Sequence, residues 1–308
     1  MIAEADTAAR RRVAYILSPS YSGSTLLTLL LARHPEVATI GELKARPLGD
    51  IQQYVCSCRE KILECPFWAD VRAALRERGH ELDLTDFGTS FRATRRGLTD
   101  RLLAAAVRGP LFEWVRRTAL RTLPGPRQTL QRRLDRNAAV IETVLELQDG
   151  RVFLDGSKDV SRLKHLLDAD RWDLRVLHLI RDGRASADSY MRHHDVTMSR
   201  AALEWVRAQR EARRLLDRLD DGVCLTIRYE RLCEQSQVVV NDALRFIGCV
   251  TDGSPPAERS HHILGNRMRL APLRAVELDE KWRRRLTDDD LRVFARIAGA
   301  MNAELGYE

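Results

Sequence analysis

The sequence predicts a three-layer α/β fold with a central parallel sheet, and three observations carry that prediction. Short apolar runs alternate with segments of helical periodicity, as expected for strands covered by helices on both faces. The first run passes through a loop of small residues into a helix, the opening of a mononucleotide-binding unit. The composition, 44% hydrophobic and 31% charged over 308 residues, is that of a globular chain, neither disordered nor membrane-embedded. The length admits one large α/β domain or two small ones. The reading adopted is one domain over 1–308, with 71–150 as a helical, arginine-rich insertion.

The elements follow in order. Val13 to Leu17 is apolar and stopped by Ser18-Pro19, which predicts a short buried strand. After the small-residue run Ser18 to Thr25, Leu26, Leu27, Leu30 and Leu31 set a helical pattern that ends before Pro35. A second strand is expected near Val37 to Ile40. Val152 to Leu154 and Arg175 to Ile180 read as two further core strands, with a helix from about Val160 to Leu167 between them. Asp182 to Arg192 and Arg200 to Leu219 read as helices, Val223 to Ile227 as a strand, and Val238 to Ile247 as a helix. Leu291, Phe294, Ile297, Ala298 and Met301 recur at helical spacing, predicting a packed terminal helix over Asp288 to Leu305. Between Val71 and Leu147 the pattern is helical, broken by Gly109-Pro110 and Pro124-Gly125-Pro126.

Charge and apolar length exclude several function classes. No membrane span is expected, because the longest apolar stretch, Leu26 to Leu31, is far shorter than the roughly 20 residues a spanning helix needs. The basic N-terminus lacks a following apolar h-region, so a cytoplasmic location is expected. The net charge is +7, yet Arg92 to Arg136 alone holds twelve arginines against Asp100, Glu113 and Asp135. The rest of the chain is therefore near neutral. A nucleic-acid footprint would have to come from this segment alone, and nucleic acid is not expected as a partner. Six cysteines are too few for a disulfide scaffold.

The loop after the first strand has the chemistry of an anion cradle. Small residues at a strand end that lead into a helix aim backbone N–H groups and a positive helix terminus at one point. Ser22, Ser24 and Thr25 add hydroxyls without bulk, and Gly23 permits close backbone approach. Neither the first glycine nor the lysine of the nucleotide-triphosphatase loop G-x-x-x-x-G-K-[ST] is present, and no acidic strand end stands ready for magnesium. The loop suits a phosphate-like group handled without a metal.

The run Ser18-Pro19-Ser20-Tyr21-Ser22-Gly23-Ser24-Thr25-Leu26-Leu27 resembles the 5′-phosphosulfate loop of sulfotransferases that use 3′-phosphoadenosine 5′-phosphosulfate (PAPS). Ile180-Arg181-Asp182-Gly183-Arg184-Ala185-Ser186-Ala187-Asp188-Ser189 resembles the same family's 3′-phosphate motif. The resemblance, to members of bacterial type and with similarity to tyrosylprotein sulfotransferases, implies a P-loop-like sulfotransferase fold. It implies PAPS as sulfuryl donor, PAP as product, and an acceptor hydroxyl on a carbohydrate, lipid, small metabolite or tyrosine. It places Tyr21, Ser22, Gly23, Ser24, Thr25 and Leu26 at the 5′ group, and Arg181 and Ser189 at the 3′-phosphate. Arg181 offers a planar fork of donors, and Ser189 is expected about one turn inside a helix starting near Ala185. Asp155-Gly156-Ser157-Lys158 resembles the segment before the third core strand that supplies a catalytic lysine. Ile227-Arg228-Tyr229-Glu230-Arg231-Leu232 is similar to the R-Y-E-x-L element, whose tyrosine, here Tyr229, lies near the cofactor. His262 to Arg269, with Trp282 and Leu305-Gly306-Tyr307, looks like the C-terminal region of bacterial members, where a basic loop closes over the 3′-phosphate. This nominates Asn266, Arg267 and Arg269.

Sulfuryl transfer needs a base at the acceptor and fixed positive charge at the leaving oxygen, and no metal is expected for it. Glu42 is favoured as base: His34-Pro35-Glu36-Val37 leads into Ile40-Gly41-Glu42 at the spacing seen in tyrosylprotein sulfotransferases. His193 or His194 competes with it, as in cytosolic sulfotransferases. Tyr21 stands where many family members carry a lysine or arginine, so Lys158 or Lys44 must supply the charge, with Lys158 preferred. An ATP-dependent phosphotransferase and a catalytically inactive nucleotide- or membrane-binding module remain the alternatives.

Two features stand outside that scheme. Cys56, Cys58 and Cys65 read either as reduced packed thiols, as one bridge from Cys65 to either partner, or as three zinc ligands completed by His80 or another residue. The arginine-rich insertion, with Leu102, Leu103, Ala106, Leu111, Phe112, Trp114 and Val115 as an apolar side, reads as a substrate lid, a peripheral membrane contact, a homodimer contact or a solvated helix pair.

Overall fold

Five short strands form one sheet: β1 (Arg12–Leu17), β2 (Val37–Ala38), β3 (Val152–Asp155), β4 (Asp173–Ile180) and β5 (Cys224–Arg228). Their order is β2-β3-β1-β4-β5, and every pairing is parallel. The structure is a computed structural model and describes residues 10–43, 48, 50–92, 97–251, 262–265, 267–270 and 276–308. Lys44, Asn266, Arg95 and Arg96 lie outside the described residues, as does the side chain of Arg267.

Helices connect and cover the strands. They are α1 (Ser24–Leu31), α2 (Pro66–Glu77), α3 (Leu98–Ala104), α4 (Pro110–Thr122), α5 (Pro124–Leu147), α6 (Val160–Ala169), α7 (Gly183–His194), α8 (Met198–Leu216), α9 (Tyr229–Glu234), α10 (Ser236–Phe246), α11 (Trp282–Arg285) and α12 (Asp288–Glu304). Because side chains alternate along a strand, β1 feeds two cores. Val13, Tyr15 and Leu17 pack with Phe153, Val176 and residues of α2, α5 and α6 on one face. Ala14 and Ile16 pack with Leu154, Leu177 and residues of α1 and α10 on the other. All five of these β1 side chains are fully buried, and burying each large one is worth about 1.5–3 kcal/mol. A third cluster joins α7, α8 and α12 through Ala187, Trp205, Phe294 and Ala298.

Several expected boundaries move. The second strand pairs with β3 only at Val37 and Ala38. Beyond it the chain turns at Gly41, whose φ is +79°, and bridges Leu264. The helix carrying Ser189 starts at Gly183, not Ala185, because the Asp182 carboxylate accepts from the Arg184 amide and caps it. The Asp155-Gly156-Ser157-Lys158 segment follows the third strand instead of preceding it. The Arg-Tyr-Glu element ends β5 at Arg228 and begins a helix at Tyr229.

Three of the twelve arginines in the arginine-rich region serve the backbone. Arg116 is 1% exposed and donates to the carbonyls of Leu102 and Leu103 at 2.6 and 3.1 Å. Arg136 donates to the Phe87 carbonyl at 3.0 Å, and Arg133 to that of Ser90. Of the expected apolar side, Leu103 is buried while Leu111, Trp114 and Val115 are exposed. Among the described residues, no helix is long and apolar enough to cross a membrane.

Candidate active site

The sheet order sets the location. From central β1 the chain goes out through α1 toward β2 and β3, and β4 lies on the other side of β1. Connections thus diverge at the carboxyl ends of β1 and β4, where open α/β sheets bind ligands.

The β1–α1 loop is a tight cradle. Tyr21 and Gly23 both have left-handed backbone, at φ +65° and +90°. A Cβ on residue 23 would lie 2.4 Å from the Tyr229 ring, so only glycine fits. Gly23 caps α1 without any side-chain hydrogen bond, which leaves the helix N-terminus for another acceptor. The Ser18 and Ser22 hydroxyls are buried without a partner among the described residues.

Arg181 leaves β4 beside this cradle and is 6% exposed. It donates through Nη1 to the Tyr21 carbonyl and through Nη2 to the Asp279 carbonyl, both at 3.0 Å. The guanidinium carbon lies 4.2 Å from the centre of the Tyr229 ring. Asp182 does not neutralise it, because that carboxylate is taken by the Arg184 guanidinium at 2.7 Å, but the Asp279 carboxylate lies 3.7 Å from Nη2. Nε of Arg181 is buried and has no acceptor among the described residues, and neither has the hydroxyl of Ser186. Burial pushes the Tyr229 phenol up to about 12, so it stays protonated beside the cation.

Glu42 and Lys158 meet at the opposite wall. Glu42 Oε1 accepts from Lys158 Nζ at 2.5 Å, and the side chains are 24% and 21% exposed. Two loops bring them together: the Gly156 amide donates to the Gly41 carbonyl at 2.8 Å. Lys158 itself has φ +64°, a costly conformation for a residue with a Cβ and one that concentrates at functional sites.

One cavity of about 1230 Å³ joins the three walls. Tyr21, Gly23, Ser24, Thr25, Leu26, Glu42, Lys158, Arg181, Ser189, Tyr229 and His194 line it. His194 faces the loop tyrosine, with Nε2 3.1 Å from the Tyr21 hydroxyl, and His193 stacks on the same ring at 4.7 Å. Ser22 is fully buried behind the lining. Arg269 lies outside the lining. Its guanidinium donates to the carbonyls of Gly265 and Val55, both at 2.7 Å, and sits 4.6 Å from the centre of the Tyr54 ring. Arg267 falls in the 3₁₀ turn Arg267–Leu270. Among the described residues of 71–150, Arg92 is the one that lines the cavity, and it pairs with Asp159 at 2.8 Å.

The cavity also contains residues that sequence reasoning passed over: Ser18, Ser186, Asp279 and Lys281. Ser186 had a readable signal. It precedes Ser189 by three residues, so the two share a helix face. Asp279 contributes both its backbone carbonyl and, at 3.7 Å, its carboxylate to Arg181, across a chain separation that no local pattern spans.

A P-loop-like α/β enzyme fold with an anion cradle and a buried guanidinium at one sheet edge is the class these features define. A family model described as "Sulfotransferase family" matches residues 14–252, and the chain belongs to that family. Among solved structures it is similar to the sulfotransferase domain from the Synechococcus PCC 7002 olefin synthase. That match has 18% identity and a TM-score of 0.52, covering 99% of this chain and 98% of that one. The sulfotransferase domain from the curacin biosynthetic pathway is 17% identical with a TM-score of 0.49, covering 97% and 98%. At these identities the likeness concerns fold alone. No curated protein matches the chain.

Proposed function

We propose that this family member transfers a sulfuryl group from PAPS to an acceptor hydroxyl, releasing PAP. The observation that carries the reading is that the β1–α1 cradle and Arg181 with Ser189 open into one cavity. Buried donors with no acceptor, at Ser18, Arg181 and Ser186, suit a doubly anionic ligand, because a buried unsatisfied donor costs about 1–3 kcal/mol until something accepts from it. The donor substrate supplies an activated sulfur with a phosphate leaving group.

The protein's residues divide the work. The cradle amides and the α1 N-terminus hold the 5′-phosphate, and Arg181 with Ser186 and Ser189 holds the 3′-phosphate. Glu42 takes the proton of the acceptor hydroxyl as its oxygen bonds to sulfur and the bond from sulfur to the bridging oxygen breaks. Lys158 supplies positive charge to that oxygen. While Lys158 is paired with Glu42 it holds Oε1 of the carboxylate and lowers its basicity. Its transfer to the leaving oxygen when donor is bound would make the carboxylate a stronger base.

Thermal melting tests the reading. PAP should raise the melting temperature and ATP with magnesium should not; the reverse outcome would favour a phosphotransferase and sink the proposal. Glu42→Gln should spare PAP binding and lower turnover by about 10²–10⁴-fold, the usual contribution of a positioned base.

A further inference from the structure

The cysteine cluster lies apart from the cavity lining, and the fold completes it. Cys65 Sγ is 3.6 Å from Cys58 Sγ and 3.3 Å from His262 Nδ1, and Cys56 Sγ is 3.6 Å from the same nitrogen. All four atoms lie within 4.8 Å of one another. We propose that Cys56, Cys58, Cys65 and His262 form a closed structural zinc site.

The spacing decides between the three readings of these thiols. Disulfide sulfurs sit about 2.05 Å apart, so the Cys58–Cys65 contact is not a bridge. With Zn–S near 2.3 Å and Zn–N near 2.0–2.1 Å, a tetrahedron has edges of about 3.8 Å between sulfurs and about 3.6 Å between sulfur and nitrogen. Three of the six edges are 3.6, 3.6 and 3.3 Å, within about 0.3 Å of these values, and the other three are no longer than 4.8 Å. His80 takes no part in the cluster; the fourth member is His262, 197 residues beyond Cys65.

The surroundings are those of a metal knuckle. Cys56 opens a tight turn in which the Arg59 amide donates to its carbonyl at 2.9 Å, with Arg59 at φ +75°. Cys65 caps α2 ahead of Pro66. Backbone N–H groups of Cys58 and Trp68 point at the sulfurs of Cys56 and Cys65, and such donors offset the excess negative charge of three thiolates on one zinc. The buried indole N–H of Trp68, without an acceptor among the described residues, lies beside the Cys56 sulfur. Phe67 stacks on the His262 ring at 4.3 Å and 7°, fixing the ring plane. Cys56 and Cys65 are fully buried, and with four protein ligands no position is open to substrate.

The site would act as a staple. It ties the segment entering at His262 to the 56–65 knuckle, reinforced by Ile263 N–H donating to Ser57 Oγ at 2.7 Å. The next residues run along the cavity rim. Leu264 donates to the Ile40 carbonyl at 2.8 Å, and Gly265 packs so closely that a Cβ there would lie 3.3 Å from Glu42 Oε1. Zinc thus holds the backing of the Glu42 carboxylate without touching the reaction. The other grouping of potential ligands, His34, Glu36 and Cys249, already spends His34 on the Val250 carbonyl at 3.0 Å and Glu36 on Arg151 at 2.6 Å.

Metal analysis of the full chain, purified with a reductant and without chelator, should find one zinc per chain. Cys65→Ser and His262→Ala should lose it, and Cys249→Ser should keep it. Cobalt reconstitution should give the intense visible bands of a tetrahedral thiolate site, weakened in Cys58→Ser. Should the Cys65 variant fail to fold, alkylation of the unaltered chain decides: Cys56, Cys58 and Cys65 should resist iodoacetamide until a chelator is added, while Cys224 reacts alike in both states. Absence of zinc after incubation with zinc and reductant would overturn the proposal, as would zinc that survives in Cys58→Ser and Cys65→Ser alike. None of these readouts requires sulfuryl transfer, so they fail or succeed independently of the donor-cavity reading.

Discussion

Arg162 and Arg181 are nearly equally buried, at 2% and 6% exposed, and each follows a core strand by a few residues. Their donors differ. Arg162 spends every arm: Nε on Asp155 at 2.8 Å, Nη1 on the Thr89 carbonyl at 2.9 Å, and Nη2 on Asn137 Oδ1 at 2.6 Å. Asn137 in turn donates to the Thr89 and Arg133 carbonyls, so the network closes on itself. Arg181 leaves Nε without an acceptor on a cavity wall. A buried guanidinium with all donors consumed is structure, whereas one that lines a cavity with a donor unspent fits the anion-binding role proposed for it.

The largest effect should come from the closed network. Arg162→Met strands the Asp155 carboxylate, which is fully buried, and removing one partner of such a pair costs about 3–5 kcal/mol. Urea unfolding should show this loss, with any PAP response surviving in the fraction that folds. A loss below about 1 kcal/mol, the range of exposed pairs, would break the comparison.

His178 shows that an orphaned buried atom alone does not mark a binding site. Its Nε2 has no partner among the described residues, but it lies within β4, outside the cavity lining. Burial pulls its pKa from 6.5 down to about 4. Folding therefore favours the neutral ring: the stability is complete above about pH 6.5 and is lost as pH falls toward and through about 4. The span is worth about 3 kcal/mol at the acid limit. His178→Asn should flatten the decline in melting temperature over that window without changing PAP affinity near neutral pH. An unchanged slope would show that the ring protonates freely in the folded chain.

Arg181→Met should reverse the pattern of Arg162→Met. Hydrogen bonds to charged groups contribute about 1.5–3 kcal/mol, so PAP affinity should fall by roughly 10- to 150-fold, with a smaller loss of folding stability from the Tyr21 and Asp279 carbonyls. Isothermal titration calorimetry and urea unfolding on the same sample separate the two. A variant that melts like Arg162→Met and binds PAP normally would place Arg181 among the structural arginines.

What the sequence made legible follows from locality. The β1–loop–α1 unit and Arg181 at the end of β4 are written in consecutive residues, where strand pattern, small-residue loop and helix onset agree. Glu42 and Lys158 were nominated separately, but their mutual contact depends on the Gly41–Gly156 backbone bond, which no local pattern encodes. Arg269 had the composition of an anion binder, yet an arginine's donors serve carbonyls equally well: here Gly265 and Val55 take its Nη groups, and the Nε left without a partner among the described residues lies away from the cavity lining. His262 is invisible beside the cysteines because chain separation hides the meeting. Tyr229 is placed near the cofactor by resemblance alone; the structure starts a helix there, and that placement presents its ring to Gly23 and Arg181.

Ser186 offers the finest division. Its hydroxyl is buried without a partner on the cavity wall, one helical turn before Ser189, whose hydroxyl accepts from Arg192 at 3.4 Å. If orphaned donors on this wall await a phosphate, Ser186→Ala removes one neutral hydrogen bond from the PAP complex, worth about 0.5–1.5 kcal/mol. Affinity should then drop by roughly 2- to 13-fold. The same change should leave the unliganded protein as stable as before or slightly more so, because a buried hydroxyl with no acceptor is being deleted. Opposite signs for binding and folding are what a structural serine cannot produce, since deleting a satisfied hydroxyl lowers stability first. Calorimetric affinity and urea midpoint, measured on that single variant, therefore test the spare-donor criterion at its smallest scale.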